Sequence, residues 1–188
     1  AGLVGSEMCI RDRYNISPET LVEKRHPSAT VNKILSQKID IPKEYAVCAN
    51  GAMYRKDIHG FLPEIMQKIY DERVQSKKHM LIAKQEYEKT PTKELEKKIS
   101  KFNNIQMARK IQLNSAYGAI GNQYFRYYNL KNAEAITMSG QVSIRWIEHE
   151  MNLYLNKILK TEKEDYVIAS DTDSIYLNLG PLVEGVYK

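Results

Sequence analysis

Two aspartates, Asp171 and Asp173, stand in the run YVIASDTDSIYLNL, with apolar alternating residues on both sides. Residues i and i+2 of a strand face the same side, and a tight turn can bring both near one divalent cation. Two carboxylates held on a rigid hairpin repel one another unless a cation neutralises them. The pair therefore favours a Mg²⁺ site of the two-metal type, with Asp171 and Asp173 as ligands. The same residues also suit a plain Asp-rich hairpin turn with solvated side chains.

A second set lies in KIQLNSAYG (110–118). On a helix Lys110, Asn114 and Tyr117 fall at i, i+4 and i+7 and project from one face. An ammonium, an amide and a flat ring in line fit a nucleotide, with charge for the phosphates and the ring for base or sugar. Arg73 and Lys77, at i and i+4 on a preceding helical pattern, form a second basic pair. Two basic helix faces across a hairpin could grip a triphosphate. Each pair taken alone also reads as an ordinary surface cluster.

The charge distribution agrees with one basic surface. The 188 residues carry 28 Lys+Arg against 23 Asp+Glu, a formal charge of +5. The window 62–110 holds 12 basic and 7 acidic residues, and the remainder holds 16 of each, so the whole excess lies in that window. Such a surface suits polyphosphate or nucleic acid, and equally a lysine-rich solvated helical hairpin. No uncharged apolar run approaches the roughly 18 residues that span a bilayer. The two cysteines, Cys9 and Cys48, are too few for a disulfide framework and lack metal-ligand spacing, which favours a reducing compartment.

The elements that must position these residues can be read along the chain. NISPET (15–20) predicts a turn leading into a short helix, with Ser17 as cap and Pro18 at the first helical position. The apolar run 45–48, Asn50-Gly51 and a return strand over 52–56 predict a β-hairpin. A long helical pattern runs from Pro63 to about Glu88, with Leu62, Ile65, Met66 and Ile69 on its apolar face. Thr90-Pro91-Thr92 breaks it and restarts another, with Thr90 as N-cap and Pro91 at the first helical position. Leu95, Ile99, Phe102, Ile105 and Met107 keep helical period there. Residues 63–119 thus read as two long helices folded back on each other. A further helix covers about 133–159, and the last element is a hairpin, 166–170 and 173–179, around Asp171-Thr172. Met138, Trp146 and Met151 read as core packing, and His59, His79 and His149 have no partners at ligand spacing.

The combination is more specific than its parts. Lys110 with Asn114-Ser115-x-Tyr117-Gly118, followed some 50 residues on by Asp171-Thr172-Asp173-Ser174, resembles family B DNA polymerases, and most closely those of T-even-type bacteriophages. NISPET, NGAMYRKD (50–57) and RKIQLNSAYGAIGNQYFRYYNLKNAEAIT (109–137) carry the same likeness, which covers most of 14–179. The resemblance implies an α+β fold. It would comprise a partial palm, an antiparallel sheet with a catalytic hairpin and packed helices, over 14–61 and 120–188, and a two-helix fingers hairpin over 62–119. It implies that Asp171 and Asp173 are catalytic and bind Mg²⁺, with Asp173 the firmer ligand. Arg73, Lys77, Lys110 and Asn114 would bind the incoming nucleotide, and Ser115, Tyr117 and Gly118 would line the nascent base pair. The implied partners are primer-template DNA, deoxynucleoside triphosphates, a sliding clamp and replisome proteins, and the implied location is the cytoplasm of a host cell.

Departures accompany the likeness. The family's other metal-binding motif, Asp-x-x-Ser-Leu-Tyr-Pro-Ser, is expected just before NISPET, where 1–13 reads AGLVGSEMCIRDR and resembles translated adapter sequence. Both ends read as cut, so the chain is expected to be an internal palm-fingers fragment that is inactive alone. The helical hairpin between Arg73 and Lys110 also looks shorter than in T-even-type enzymes. Two other function classes compete. A non-catalytic nucleic-acid-binding helical module would bind DNA with strong salt dependence and no Mg²⁺-dependent nucleotide binding. A sugar-nucleotide transferase could use the Asp-x-Asp pair, but the motif at 110–118 argues against it.

Overall fold

A computed structural model describes Ile10, residues 12–171 and residues 174–186. Of residues 1–13, Ala1 to Cys9 and Arg11 lie outside the described residues, as do Thr172 and Asp173. The described chain is α+β, with helices α1 (Val31–Leu35), α2 (Phe61–Lys89), α3 (Lys93–Ile120), α4 (Leu130–Leu159) and α5 (Gly180–Val186). Strands β1 (Tyr45–Val47) and β2 (Met53–Arg55) form one two-stranded antiparallel sheet, and β3 (Val167–Asp171) and β4 (Ser174–Leu177) form another. The sequence-based boundaries of the long helices are met to within a few residues.

The first hairpin turns where Asn50-Gly51 predicts. Gly51 has φ +82°, the left-handed region that favours glycine, and the Asn50 side chain accepts from the Ala52 amide. Tyr45 pairs with Arg55, Ala46 with Tyr54 and Val47 with Met53. The inner face of this hairpin joins Ile16, Ala135 and Ile136 in the main core, and Ile10 is buried there too. Ile10 belongs to the stretch 1–13 that resembles translated adapter sequence. Inside the core the Tyr54 hydroxyl donates to Asn132 Oδ1 at 2.8 Å, which gives two buried polar groups a partner. Burial pushes the Cys48 thiol up to about 12, so it is an inert packing residue.

α2 and α3 run antiparallel as a long hairpin. Met66 and Leu113 are buried between them, with Ile69, Tyr70 and Ala116 against them. The junction differs in detail from the sequence expectation. Thr92, not Thr90, is the N-cap of α3, and its side chain accepts from the Leu95 amide at 3.3 Å. Pro91 disfavours helical geometry at the residue before it, so Thr90 takes φ −143° and ends α2 instead. Thr92→Ala is expected to destabilise the hairpin by about 1 kcal/mol, readable in chemical denaturation, whereas Thr90→Ala should change little.

NISPET forms a turn and no helix. Its side chains instead cap α2, whose own N-cap is Gly60 with no side chain to offer. Asn15 Oδ1 accepts from the Gly60 amide at 2.8 Å, Glu19 Oε1 from Phe61 at 2.6 Å, and Ser17 Oγ from Leu62 at 3.4 Å. Three orphan donors of the helix end thus find partners from a distant segment. A Cβ on Gly60 would lie 2.5 Å from Ser17 Cβ, so this approach needs glycine. Desolvation works to raise the Glu19 carboxyl, but the Ser17 hydroxyl and the Phe61 amide outweigh it and hold it below its ordinary 4.5. A depressed carboxyl contributes stability that is present above 4.5 and lost as pH falls through the folded-state value. Glu19→Gln is therefore expected to lower the unfolding midpoint at neutral pH, with the gap to the unaltered chain closing in acid, as followed by circular dichroism.

α4 carries the second hairpin. Asn152 Oδ1 accepts from the Tyr166 amide at 2.9 Å, and its Nδ2 donates to Asp165 at 2.8 Å. One turn on, Asn156 bonds both the carbonyl and the amide of Glu164. Hydrogen bonds from Asn152 and the Val167 amide hold the Asp165 carboxyl below its usual range. Trp146, expected in the core, is 53% exposed, because α4 packs through Asn132, Ala135, Ile136, Ser139 and Leu155 on another stripe. Ile65 and Met107 are likewise exposed, since their positions turn away from the α2–α3 contact.

Candidate functional site

The predicted cationic residues come from the middle of the helical hairpin. Lys110 is half-buried on α3, Asn114 and Ser115 are exposed, and Tyr117 is half-buried with its ring against the main core. Tyr117 is therefore fixed by packing, and the ring faces the same side as Lys110 and Asn114 at one-turn intervals. At Gly118 an added Cβ would meet nothing within 4 Å, so the surface beside Tyr117 is open.

On α2, Arg73 is half-buried and Lys77 exposed. The Arg73 Nε is buried without a hydrogen-bond partner, as is that of Arg109. Arg109 reaches across to Glu72 at 2.6 Å, while its Nη1 donates to Gln112 at 2.8 Å. Successive helical residues step about 100° around the axis, and in antiparallel helices those steps run in opposite senses. With Glu72 and Arg109 in contact, the next residues, Arg73 and Lys110, turn to the same flank of the hairpin. Lys77, Asn114 and Tyr117 follow them there. All five residues predicted on helix faces thus share one flank.

The carboxylate hairpin is a separate element. Asp171 ends β3, exposed and paired with Ser174, whose hydroxyl donates to the Asp171 carbonyl at 3.2 Å. Asp173, the other predicted ligand, lies outside the described residues. Among the described residues no group of three or more His, Cys, Asp or Glu could hold a metal ion. Mg²⁺ is commonly held by one or two carboxylates together with substrate phosphates and water, so the chemistry of a carboxylate on a fixed strand end fits such a partial donor set.

One feature escaped the sequence reading. The loop between α3 and α4 carries Tyr124, Phe125, Tyr127 and Tyr128, with Tyr124 88% exposed, and the Arg126 guanidinium lies 5.6 Å from the Tyr127 ring centre. Four aromatic rings and an arginine in five residues have the chemistry that stacks on bases, although Tyr127 packs on Phe61 at 5.1 Å between ring centres. The composition of that pentapeptide was the available signal.

Comparisons with known proteins point to one family. A family model described as DNA polymerase family B matches residues 9–183, beginning within the stretch 1–13. The chain is similar to the DNA-directed DNA polymerases of Enterobacteria phage T4, at 34% identity over 218 residues, and Escherichia phage RB69, at 32% over 216. Each match covers 93% of this chain and 24% of the phage protein. Those alignments are longer than the 188 residues here, so the phage proteins carry extra residues within the matched span. Among solved structures, the family B DNA polymerase from the archaeon Pyrobaculum calidifontis superposes with a TM-score of 0.55 at 24% identity. That match covers 98% of this chain and 21% of the archaeal one, a likeness of fold. No described helix is long and apolar enough to cross a membrane.

Proposed function

The chain belongs to DNA polymerase family B, and from that premise we propose that it supplies the nucleotide-binding fingers and part of the catalytic palm of a DNA-dependent DNA polymerase. The observation that carries this reading is the Glu72–Arg109 contact between two packed helices, from which helical steps put Arg73, Lys77, Lys110, Asn114 and Tyr117 on one flank. Residues 62–119 are the fingers hairpin, and 14–61 and 120–188 contribute to the palm. The chain spans about a quarter of the length of its phage relatives. It also holds no Asp-x-x-Ser-Leu-Tyr-Pro-Ser motif.

Addition of a deoxynucleotide to a primer 3′-end requires positioning of the triphosphate and neutralisation of charge on its leaving group. Lys110, Arg73 and Lys77 bind the phosphates through charge-assisted hydrogen bonds, and Asn114 adds a neutral donor. Tyr117, fixed against the core, and the open surface at Ser115 and Gly118 accept the nascent base pair. Asp171 and Asp173 would hold Mg²⁺ with the triphosphate. The bound ion would stabilise charge on the phosphates and favour ionisation of the attacking hydroxyl. The loop 124–128 offers rings to primer-template DNA. A sliding clamp and replisome proteins are the further partners of such a polymerase, working in the cytoplasm of a host cell.

A titration of the 188-residue chain with a fluorescent deoxynucleoside triphosphate tests this. Mg²⁺-dependent binding that is lost in Asp171→Asn with Asp173→Asn supports the reading. Salt-sensitive binding of DNA with no Mg²⁺-dependent nucleotide binding would replace it with a non-catalytic nucleic-acid-binding module.

A further inference from the structure

We propose that the Glu72–Arg109 ion pair is a positioning device for the triphosphate-binding residues, acting through helix register and without touching the nucleotide. The inference rests on the nucleotide-binding reading above. Among the described residues this is the one ion pair that joins α2 to α3, and it lies immediately before Arg73 on one helix and Lys110 on the other. The apolar contact of Met66 and Leu113 lies nearer the base of the hairpin, and Met80 and Ala83 are buried nearer its tip. Between them the buried residues are polar, Ser76 on α2 and Gln106 on α3, and Gln106 bonds within its own helix to Asn103. Leu113 with Ile69 and Tyr70 carries apolar packing to within a turn of the ion pair, but from there to Met80 no apolar residue of α2 is fully buried. Apolar packing, which is tolerant of small slides, therefore does not by itself set the register at the level of Arg73 and Lys110. A guanidinium held on one side by Glu72 at 2.6 Å and on the other by Gln112 at 2.8 Å does, because its fork is planar and directional.

The pair also orients the flank. With Glu72 fixed against Arg109, the steps of about 100° to Arg73 and to Lys110 bring both cations to the same side. A slide or rotation of one helix would separate them. Glu72 itself is a negative charge beside a site for a polyanion, and by charge alone its presence opposes triphosphate binding. Positioning and field thus predict opposite signs for its removal.

The test compares the 188-residue chain with Glu72→Gln, Arg109→Gln and the exchanged double variant Glu72→Arg with Arg109→Glu. Each is titrated with Mg²⁺-dATP at fixed ionic strength, with helicity and thermal unfolding recorded in parallel. Misplacement by a fraction of a residue step is expected to weaken binding about 3- to 10-fold in both single variants. The exchanged pair restores the bridge and should return affinity to within about twofold of the unaltered chain. A loss of thermal stability without a loss of affinity overturns the proposal, because it leaves only a structural role. Glu72→Gln binding as tightly as the unaltered chain, or tighter, also overturns it, and the nucleotide reading then stands. If either single variant fails to fold, the exchanged pair decides: full affinity supports the proposal, and an affinity lowered about tenfold or more in a folded protein overturns it. No binding by the unaltered chain overturns the nucleotide reading and this inference with it.

Discussion

Lys110→Ala is expected to weaken Mg²⁺-dependent binding of a deoxynucleoside triphosphate by roughly 10- to 100-fold. A hydrogen bond to a charged group contributes about 1.5–3 kcal/mol, and about 1.4 kcal/mol is a factor of ten. Lys110 is half-buried, so part of its stem is packed on the hairpin and its ammonium is held in a narrower range of positions than that of an exposed lysine. Lys77 is exposed, and Lys77→Ala should cost distinctly less. Neither substitution removes a core contact, so thermal unfolding should hardly move. The titration described for the unaltered chain measures this directly, with primer-template binding as the control. Equal loss of DNA binding and nucleotide binding in Lys110→Ala would mean that the lysine serves a general basic surface and no triphosphate site.

The largest effect on stability is expected at Leu113. It is 2% exposed and packs on Met66, Ile69, Tyr70 and Ala116 at the base of the helical hairpin. Truncation to alanine removes the transfer energy of the side chain and leaves a cavity, for a loss of about 2–5 kcal/mol in equilibrium denaturation. Ile111, two positions earlier on the same helix, is 60% exposed, and Ile111→Ala should stay within about 0.5 kcal/mol of the unaltered chain. Because α2 and α3 carry the two halves of the phosphate-binding flank, loosening Leu113 should also reduce nucleotide affinity, whereas Ile111→Ala should not. Matching losses in the two variants would place the helix–helix contact on a different stripe of α3.

Local chemistry made much of this protein legible from its sequence. Helical spacing set Lys110, Asn114 and Tyr117 on one face, because the period of a helix belongs to the backbone and not to its surroundings. Asn50-Gly51 placed the first hairpin, since positive φ is a local demand that few residues meet. Pro91 ended α2 through its own ring, although local preference chose the wrong threonine as the cap that follows. The carboxylate spacing at Asp171 and Asp173 was visible for the same reason, and the order of the two motifs identified the family.

Contacts between residues far apart in the chain were not legible. The capping of α2 by Asn15, Ser17 and Glu19 joins groups more than 40 positions apart, and neither segment alone shows that the other needs it. The exposure of Trp146 has the same origin: its apolar character was plain, but the stripe of α4 that meets the core depends on where Tyr54 and Ile16 sit. The Glu72–Arg109 bridge likewise required the two helices to be laid side by side. Sequence alone determined which residues share a helix face, where the chain turns and which family it belongs to, because dihedral preference and periodicity act over a few residues. Tertiary structure alone decided which faces meet, since burial and long-range hydrogen bonds depend on the whole chain being folded at once.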